Sequence, residues 1–257
     1  MSARPSEIVL TLRAELDGEV ELDAIAPDRL AMLDEREIAA LPAWCRGERV
    51  SLGDLFEVRG ARSDHVRLEG DLSHARLVGA GMASGCLVVG GNVGDGAGTA
   101  MSGGTLIVHG DAGRDLGGAR AGASRGMTGG EIIVFGSAGA RAGVRARRAL
   151  IAIGGDAGEG AGAAMIAGTV IVFGRAGAGS ARGSKRGTLV AMGGADIPEG
   201  FRYACTYRPS FLRFMLTHLA HRHHLAVDDR WAGGAYRRYS GDMAELGRGE
   251  ILLWTAP

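Results

Sequence analysis

The side chains that could do chemistry are few and scattered. Four histidines, His218, His221, His223 and His224, crowd one short stretch. His218 and His221 are three apart, a spacing that shares a helical face and would let both approach one metal ion. No carboxylate or cysteine stands beside them in the sequence to complete a zinc set. Cationic groups at a helix C-terminus also complement its dipole, which is the simpler reading, and no metal ligand is assigned. His109 is the one histidine within the strand-like segments and lacks an evident partner, so it reads as a packed or edge residue. The acids Asp95, Asp111, Asp156 and Glu159 form no obvious close pair for acid–base work. Cys45, Cys86 and Cys205 lie far apart and fit no CxxC or zinc spacing. GxGxxG, GxxxxGK[ST], HExxH, GxSxG and GGxGxD are all absent. No catalytic residue is assigned.

One charged group stands out. Between Arg114 and Arg148 there are seven arginines, Arg114, Arg120, Arg125, Arg141, Arg145, Arg147 and Arg148, against only Asp115 and Glu131. Arg175, Arg182, Lys185 and Arg186 follow with no acid among them. Stacked along one edge, they would form a basic stripe. They read either as solvated corners of a glycine-rich fold or as a contact for an acidic partner or ligand, because arginine is favoured at such contacts. Formal net charge is +0, so nothing global draws nucleic acid or membrane. Glu7, Arg13, Glu15, Asp17 and Glu19 rule out an N-terminal secretory apolar run, and no stretch is long and apolar enough to span a bilayer. The expected location is cytoplasmic.

These groups sit on a repeat. Of the 45 glycines, 34 fall between Gly79 and Gly194. The segments Cys86–Gly91, Thr105–Gly110, Glu131–Gly136, Leu150–Gly155, Thr169–Gly174 and Thr188–Gly193 close on glycines 19, 26, 19, 19 and 19 residues apart. A fixed period of that size marks a solenoid. Reading down the columns, Leu87, Leu106, Ile132, Ile151, Val170 and Leu189 align, as do Val89, Val108, Val134, Ile153, Val172 and Ala191. Residues i and i+2 share a strand face, so the two columns make one aliphatic ladder. The column between them (Val88, Ile107, Ile133, Ala152, Ile171, Val190) is aliphatic too. Strands apolar on both faces are buried on both, so something should cover this side. Met82, Met101, Met127 and Met165 recur three residues before a glycine and read as flexible packing, since soft-metal sites seldom lack Cys or His.

The expected fold is therefore all-β dominated: a right-handed parallel β-helix with a 19-residue repeat. A small N-terminal α/β segment (1–60) precedes the glycine-rich solenoid (61–200), and a C-terminal helix and tail (201–257) pack on it. The seven extra residues fall between Gly113 and Met127, and repeat insertions often mark the binding face. Residues 27–42 have helical spacing, and the acid-rich N-terminal stretch reads as a solvated face. His65–Gly70 reads as an irregular capping turn. Pro209 and Ser210 introduce a helix with Phe211, Phe214, Met215, His218 and Leu219 on the face expected to cover the middle column.

The repeat Gly-x-x-Gly…Met-x-Gly-Gly-[TE]-[IL]-[IV]-V-x-Gly, as in Gly110–Gly113 and Met127–Gly136, resembles the C subunit of formylmethanofuran dehydrogenase. It also resembles the glycine-repeat domain of the glutamate synthase large subunit. The flanks Leu52–Val58 and Ser240–Ile251 look like the stand-alone C subunit. The resemblance implies one of two complexes. One is a molybdenum or tungsten formylmethanofuran dehydrogenase. The other is a bacterial formyltransferase/hydrolase complex that passes a formyl group from formyl-tetrahydromethanopterin to a methanofuran-type carrier and releases formate. The near absence of lysine (Lys185 alone) favours the bacterial form. In that complex the resemblance implies an amidohydrolase-like, zinc-type A subunit, a B subunit and a formyltransferase D subunit. The C chain is then a scaffold with no cofactor of its own. Because methanofuran-type carriers bear glutamate-rich tails, the arginines from Arg114 to Arg148 become a candidate contact for the carrier. A glutamate-synthase-type module, and a solenoid with its own acidic ligand, are the alternative readings.

Overall fold

The computed structural model describes residues 7–255. Among them are five short helices and a mostly β architecture organised as one large mixed sheet and one small sheet. The N-terminal part runs β1 (Ile8–Leu12), β2 (Val20–Glu21), α1 (Pro27–Leu30), α2 (Glu35–Ala39), β3 (Pro42–Cys45), β4 (Glu48–Ser51), α3 (Leu52–Leu55) and β5 (Phe56–Arg59). The middle contributes β6 (His65–Glu69), β7 (Ala75–Arg76), β8 (Cys86–Val89), β9 (Thr105–Val108), β10 (Glu131–Val134), β11 (Ala149–Ile153), β12 (Gly168–Val172) and β13 (Gly187–Ala191). The C-terminal part is β14 (Arg202–Tyr207), α4 (Ser210–His223), α5 (Asp229–Gly233), β15 (Ala235–Gly241) and β16 (Gly249–Thr255).

From β8 to β13 the strands pair in sequence order, all parallel. Leu87 lies beside Leu106, Leu106 beside Ile132, Ile132 beside Ile151, Ile151 beside Val170 and Val170 beside Leu189. The column expected from the sequence is thus the register observed. A second ladder of single parallel bridges follows it: Leu72, Val93, Ala112, Ala138, Ala157, Ala176 and Ala195. The strand columns headed by Leu87 and Val89 are wholly buried, as are Met82, Met101, Met127 and Met165. The chain turns between strands through left-handed corners. Gly98, at φ +64°, shows the reason for glycine there: a Cβ would sit 2.6 Å from Ile132 Cδ1 and 2.9 Å from Met101 Sδ. Positive φ is cheap only for glycine, and here the space is denied as well.

The sheet reaches beyond the glycine-rich stretch at both ends. His65–Gly70 is more regular than expected, because β6 joins the ladder in step with β8. β1 stacks parallel on β6, and β5 closes that edge antiparallel to β1. At the other end β16 adds a parallel rung to β13, β15 pairs antiparallel with β16, and β14 pairs antiparallel with β15 as the outer edge. Neither β14 nor β15 follows the repeat, and nothing in the periodicity announces them. The small sheet runs β4–β3–β2–β7. The helix expected over 27–42 is instead two short ones ending in β3. Asp34 accepts from the N–H groups of Arg36 and Glu37, and the Glu37 carboxylate accepts from the Asp34 N–H, a capping box that starts a fresh helix at Glu35.

α4 covers the middle column as expected. Ile133, Ala152, Ile171 and Val190 pack with Leu212, Leu216, Leu219, Tyr236 and Leu252 in a second apolar cluster. The stripe facing the sheet is Leu212, Leu216, Leu219 and His223; of the residues expected there, Leu219 lies in it and Met215 packs at its edge. Phe211 and Phe214 face outward, Phe214 being 83% exposed. Both stripes are apolar at i, i+3, i+4 spacing, so spacing alone could not choose between them.

Candidate functional site

The acids of the repeat serve the backbone. Asp111 donates its N–H to Asn92 Oδ1 (2.9 Å), Ser137 to Asp111 Oδ1 (2.7 Å), Asp156 to Ser137 Oγ (3.1 Å) and Arg175 to Asp156 Oδ1 (2.7 Å). Each short polar side chain accepts from the next rung, satisfying corner N–H groups that strand pairing leaves over. Asp95 does the same for Arg114 (2.8 Å). His109 finds its partner one rung on, its ring 4.8 Å from that of Phe135. Cys45, Cys86 and Cys205 are all unpaired, and burial pushes the Cys86 thiol up, away from the reactive thiolate.

The arginines divide into three groups. Arg141 pairs with Asp115, and with Arg120 and Arg76 it borders a hollow that also holds Asp95. Arg145 donates from Nη1 to the Ala123 carbonyl at 2.9 Å and so holds the inserted segment. Arg114, Arg120, Arg125, Arg147 and Arg148 make no side-chain hydrogen bond or ion pair among the described residues. All but Arg147 are exposed. Arg147 and Arg148 lie immediately before β11, next to Ala149.

A carboxylate does reach the histidines, and it comes from the sheet. Glu131, the first residue of β10, places Oε1 3.0 Å from His218 Nε2 and Oε2 2.9 Å from His223 Nε2. The two imidazoles stand 5.3 Å apart at 77° to one another. The partner of His218 is therefore His223, at the end of α4, rather than His221. Burial pushes the His223 imidazole down from its usual value, opposed by the hydrogen bond and charge of Glu131. A groove lined by Phe211, Phe214, Met215, His218 and Glu131 opens beside this cluster.

No family model matches the sequence. The C subunit of the molybdenum-containing formylmethanofuran dehydrogenase 1 of Methanothermobacter marburgensis is 33% identical over 90 residues, covering 34% of this chain and 22% of that one. The C subunit of the formyltransferase/hydrolase complex Fhc of Methylorubrum extorquens is 36% identical over 85 residues, 33% of this chain and 32% of that one. The alignments thus span between a fifth and a third of these relatives' length. The structure carries the likeness further. A chain of the crystal structure of the formyltransferase/hydrolase complex FhcABCD from Methylorubrum extorquens, in complex with methylofuran, superposes with a TM-score of 0.82 at 35% identity, over 96% of this chain and 100% of that one. The chain belongs to the family of formylmethanofuran dehydrogenase C subunits.

Within this family member, sequence reasoning missed two features. Glu131 is 87 and 92 residues from its histidines. The available signal was its column, where Cys86, Thr105, Leu150, Thr169 and Thr188 stand in the other rungs from β8 to β13: an acid under an apolar helix needs a partner. The rung β16 was legible in Gly249-Glu250-Ile251-Leu252, which copies Gly130-Glu131-Ile132-Ile133 outside the 19-residue frame. No helix among the described residues is long and apolar enough to cross a membrane.

Proposed function

We propose that this chain is the non-catalytic scaffold subunit of a formyltransferase/hydrolase complex. The complex moves a formyl group from formyl-tetrahydromethanopterin to a methanofuran-type carrier and releases formate. The likeness to a chain of FhcABCD along nearly its whole length carries the reading. Its partners are an amidohydrolase-like A subunit, a B subunit and a formyltransferase D subunit in the cytoplasm. Zinc, carrier and tetrahydromethanopterin belong to those chains. Supporting the scaffold role, Asp95, Asp111 and Asp156 are engaged with backbone N–H groups of the next rung. The in-register parallel ladders support a parallel β-helix wound one turn per repeat, with the right-handed sense usual for parallel crossovers. The exposed, unpaired arginines Arg114, Arg120, Arg125 and Arg148 would steer the polyanionic carrier between active sites.

The relatives among the molybdenum and tungsten enzymes support a second reading, the same scaffold in a redox dehydrogenase. Affinity purification of the tagged chain from its host separates the two. An amidohydrolase-like chain with a formyltransferase chain is the expected outcome. Co-purifying molybdopterin and iron–sulfur chains would replace the first reading by the second, and a chain that emerges alone would overturn both.

A further inference from the structure

We propose that Glu131, His218 and His223 form a divalent-metal site that fastens the C-terminal end of α4 to the sheet, taking Zn²⁺ or a similar borderline ion. The proposal is independent of the complex to which the chain belongs. Three potential ligand atoms, one per residue, lie within 4.8 Å of one another. Zinc binds imidazole nitrogen at about 2.0–2.1 Å and carboxylate oxygen at about 2.0–2.2 Å, which sets neighbouring tetrahedral ligands on the order of 3.3 Å apart. The observed contacts of 3.0 and 2.9 Å are close to that spacing, so small side-chain rotations make room for an ion. Both histidines present Nε2 to the same carboxylate, and their rings are nearly perpendicular. Two ligands on one helix end and a third across on the strand resemble a clasp rather than a chance surface cluster.

The donor set narrows the ion. Two imidazoles and one carboxylate suit zinc, cobalt or nickel, whereas magnesium and calcium favour all-oxygen shells. Without sulfur, Cu(I) is disfavoured. His223 is 8% exposed and fixes one side of the site. The His218 side chain is 41% exposed beside the groove, so ion and water can enter there and a fourth, exchangeable position is left to water. Without the ion the same trio is a hydrogen-bonded latch, which is the competing account.

The full-length chain, stripped with a chelator, is titrated with Co²⁺ and then Zn²⁺. One equivalent of Co²⁺ per chain should bind with the visible absorption of a four-coordinate site, Zn²⁺ should displace it, and Zn²⁺ should raise the melting temperature. Glu131→Gln and His218→Ala should each weaken binding at least about tenfold with an unchanged far-ultraviolet spectrum, and His221→Ala should not. Three outcomes would overturn the site: no binding to a folded chain, binding retained in both variants, or a melting temperature that falls equally in the variants with and without Zn²⁺. The last is the signature of the plain latch.

Discussion

Arg141 stands one rung above Asp115, and its Nε donates to the Asp115 carboxylate at 2.8 Å across a register that joins Ala112 to Ala138. Both residues occupy left-handed corners, at φ +64° and +57°. The pair neutralises part of the basic edge from within. Arg120, which borders the same hollow, has no such partner among the described residues.

Reversing Arg120 and Arg125 to Glu should therefore slow formyl transfer by the assembled complex at low ionic strength. The deficit should shrink as salt is added, because exposed charges are screened beyond about 10 Å at 0.1 M. Initial rates over a salt series, with subunit content checked by gel filtration, measure it. Rates equal to the parent's at low salt would remove the arginines from carrier steering.

The two faces of α4 should respond unequally to truncation. Leu216 is wholly buried against the sheet, so Leu216→Ala should cost about 2–5 kcal/mol. Phe214→Ala, on the outer face, should stay within about 0.5 kcal/mol. Urea unfolding of the two variants decides this, and equal losses would mean that the outer stripe is packed as well.

Two left-handed glycines separate backbone strain from crowding. Gly122, at φ +76°, has nothing within 4 Å of the position an added methyl would take. Gly122→Ala should cost about 1–2 kcal/mol, the strain of its dihedral alone. Gly98→Ala adds a collision with Ile132 and Met101 and should lower the melting point several degrees further. Similar melting points would contradict the tight corner.

Asp242 predicts an acid-labile end. Its carboxylate accepts from the N–H groups of Ala244 and Gly183, each at 3.0 Å, and these bonds hold it below the usual carboxylate range. A depressed folded-state value means the stabilisation is complete above the unfolded value of about 3.9 and disappears as pH falls through the folded one. Asp242→Asn should flatten the acid limb of the stability curve while lowering stability at neutral pH. A parallel downward shift at all pH values would show that Asp242 does not titrate in that window.

The period made the ladder legible. Leu87, Leu106 and Ile132 could be aligned because each rung repeats the same apolar positions, and the register followed. Glu131 and His223 could not be joined in that way, since their contact depends on where α4 lies and no repeat sets that. The choice between Leu212 and Phe211 for the inner stripe failed for a related reason: the helix is apolar on two adjacent sides, and only the sheet selects one. At the N-terminal end, a run of apolar residues at helical spacing concealed a break, visible in Asp34 and Glu37 as a capping box.

The reversed strands that cover the two ends of the parallel ladder, β5 and β15, bear on how the molecule meets a second copy of itself. A ladder of near-identical parallel rungs offers its last strand as a template for the first strand of another copy, the geometry from which fibres grow. Here each terminus of the ladder is covered by a strand running the other way, β5 on β1 and β15 on β16, and β14 follows β15 as the outer edge in the ladder's own sense. A second copy meets a reversed strand at β5 and, at the other end, a hairpin strand with an irregular register, β14, that lies outside the repeat. Neither end of the ladder thereby presents a bare rung of the repeat.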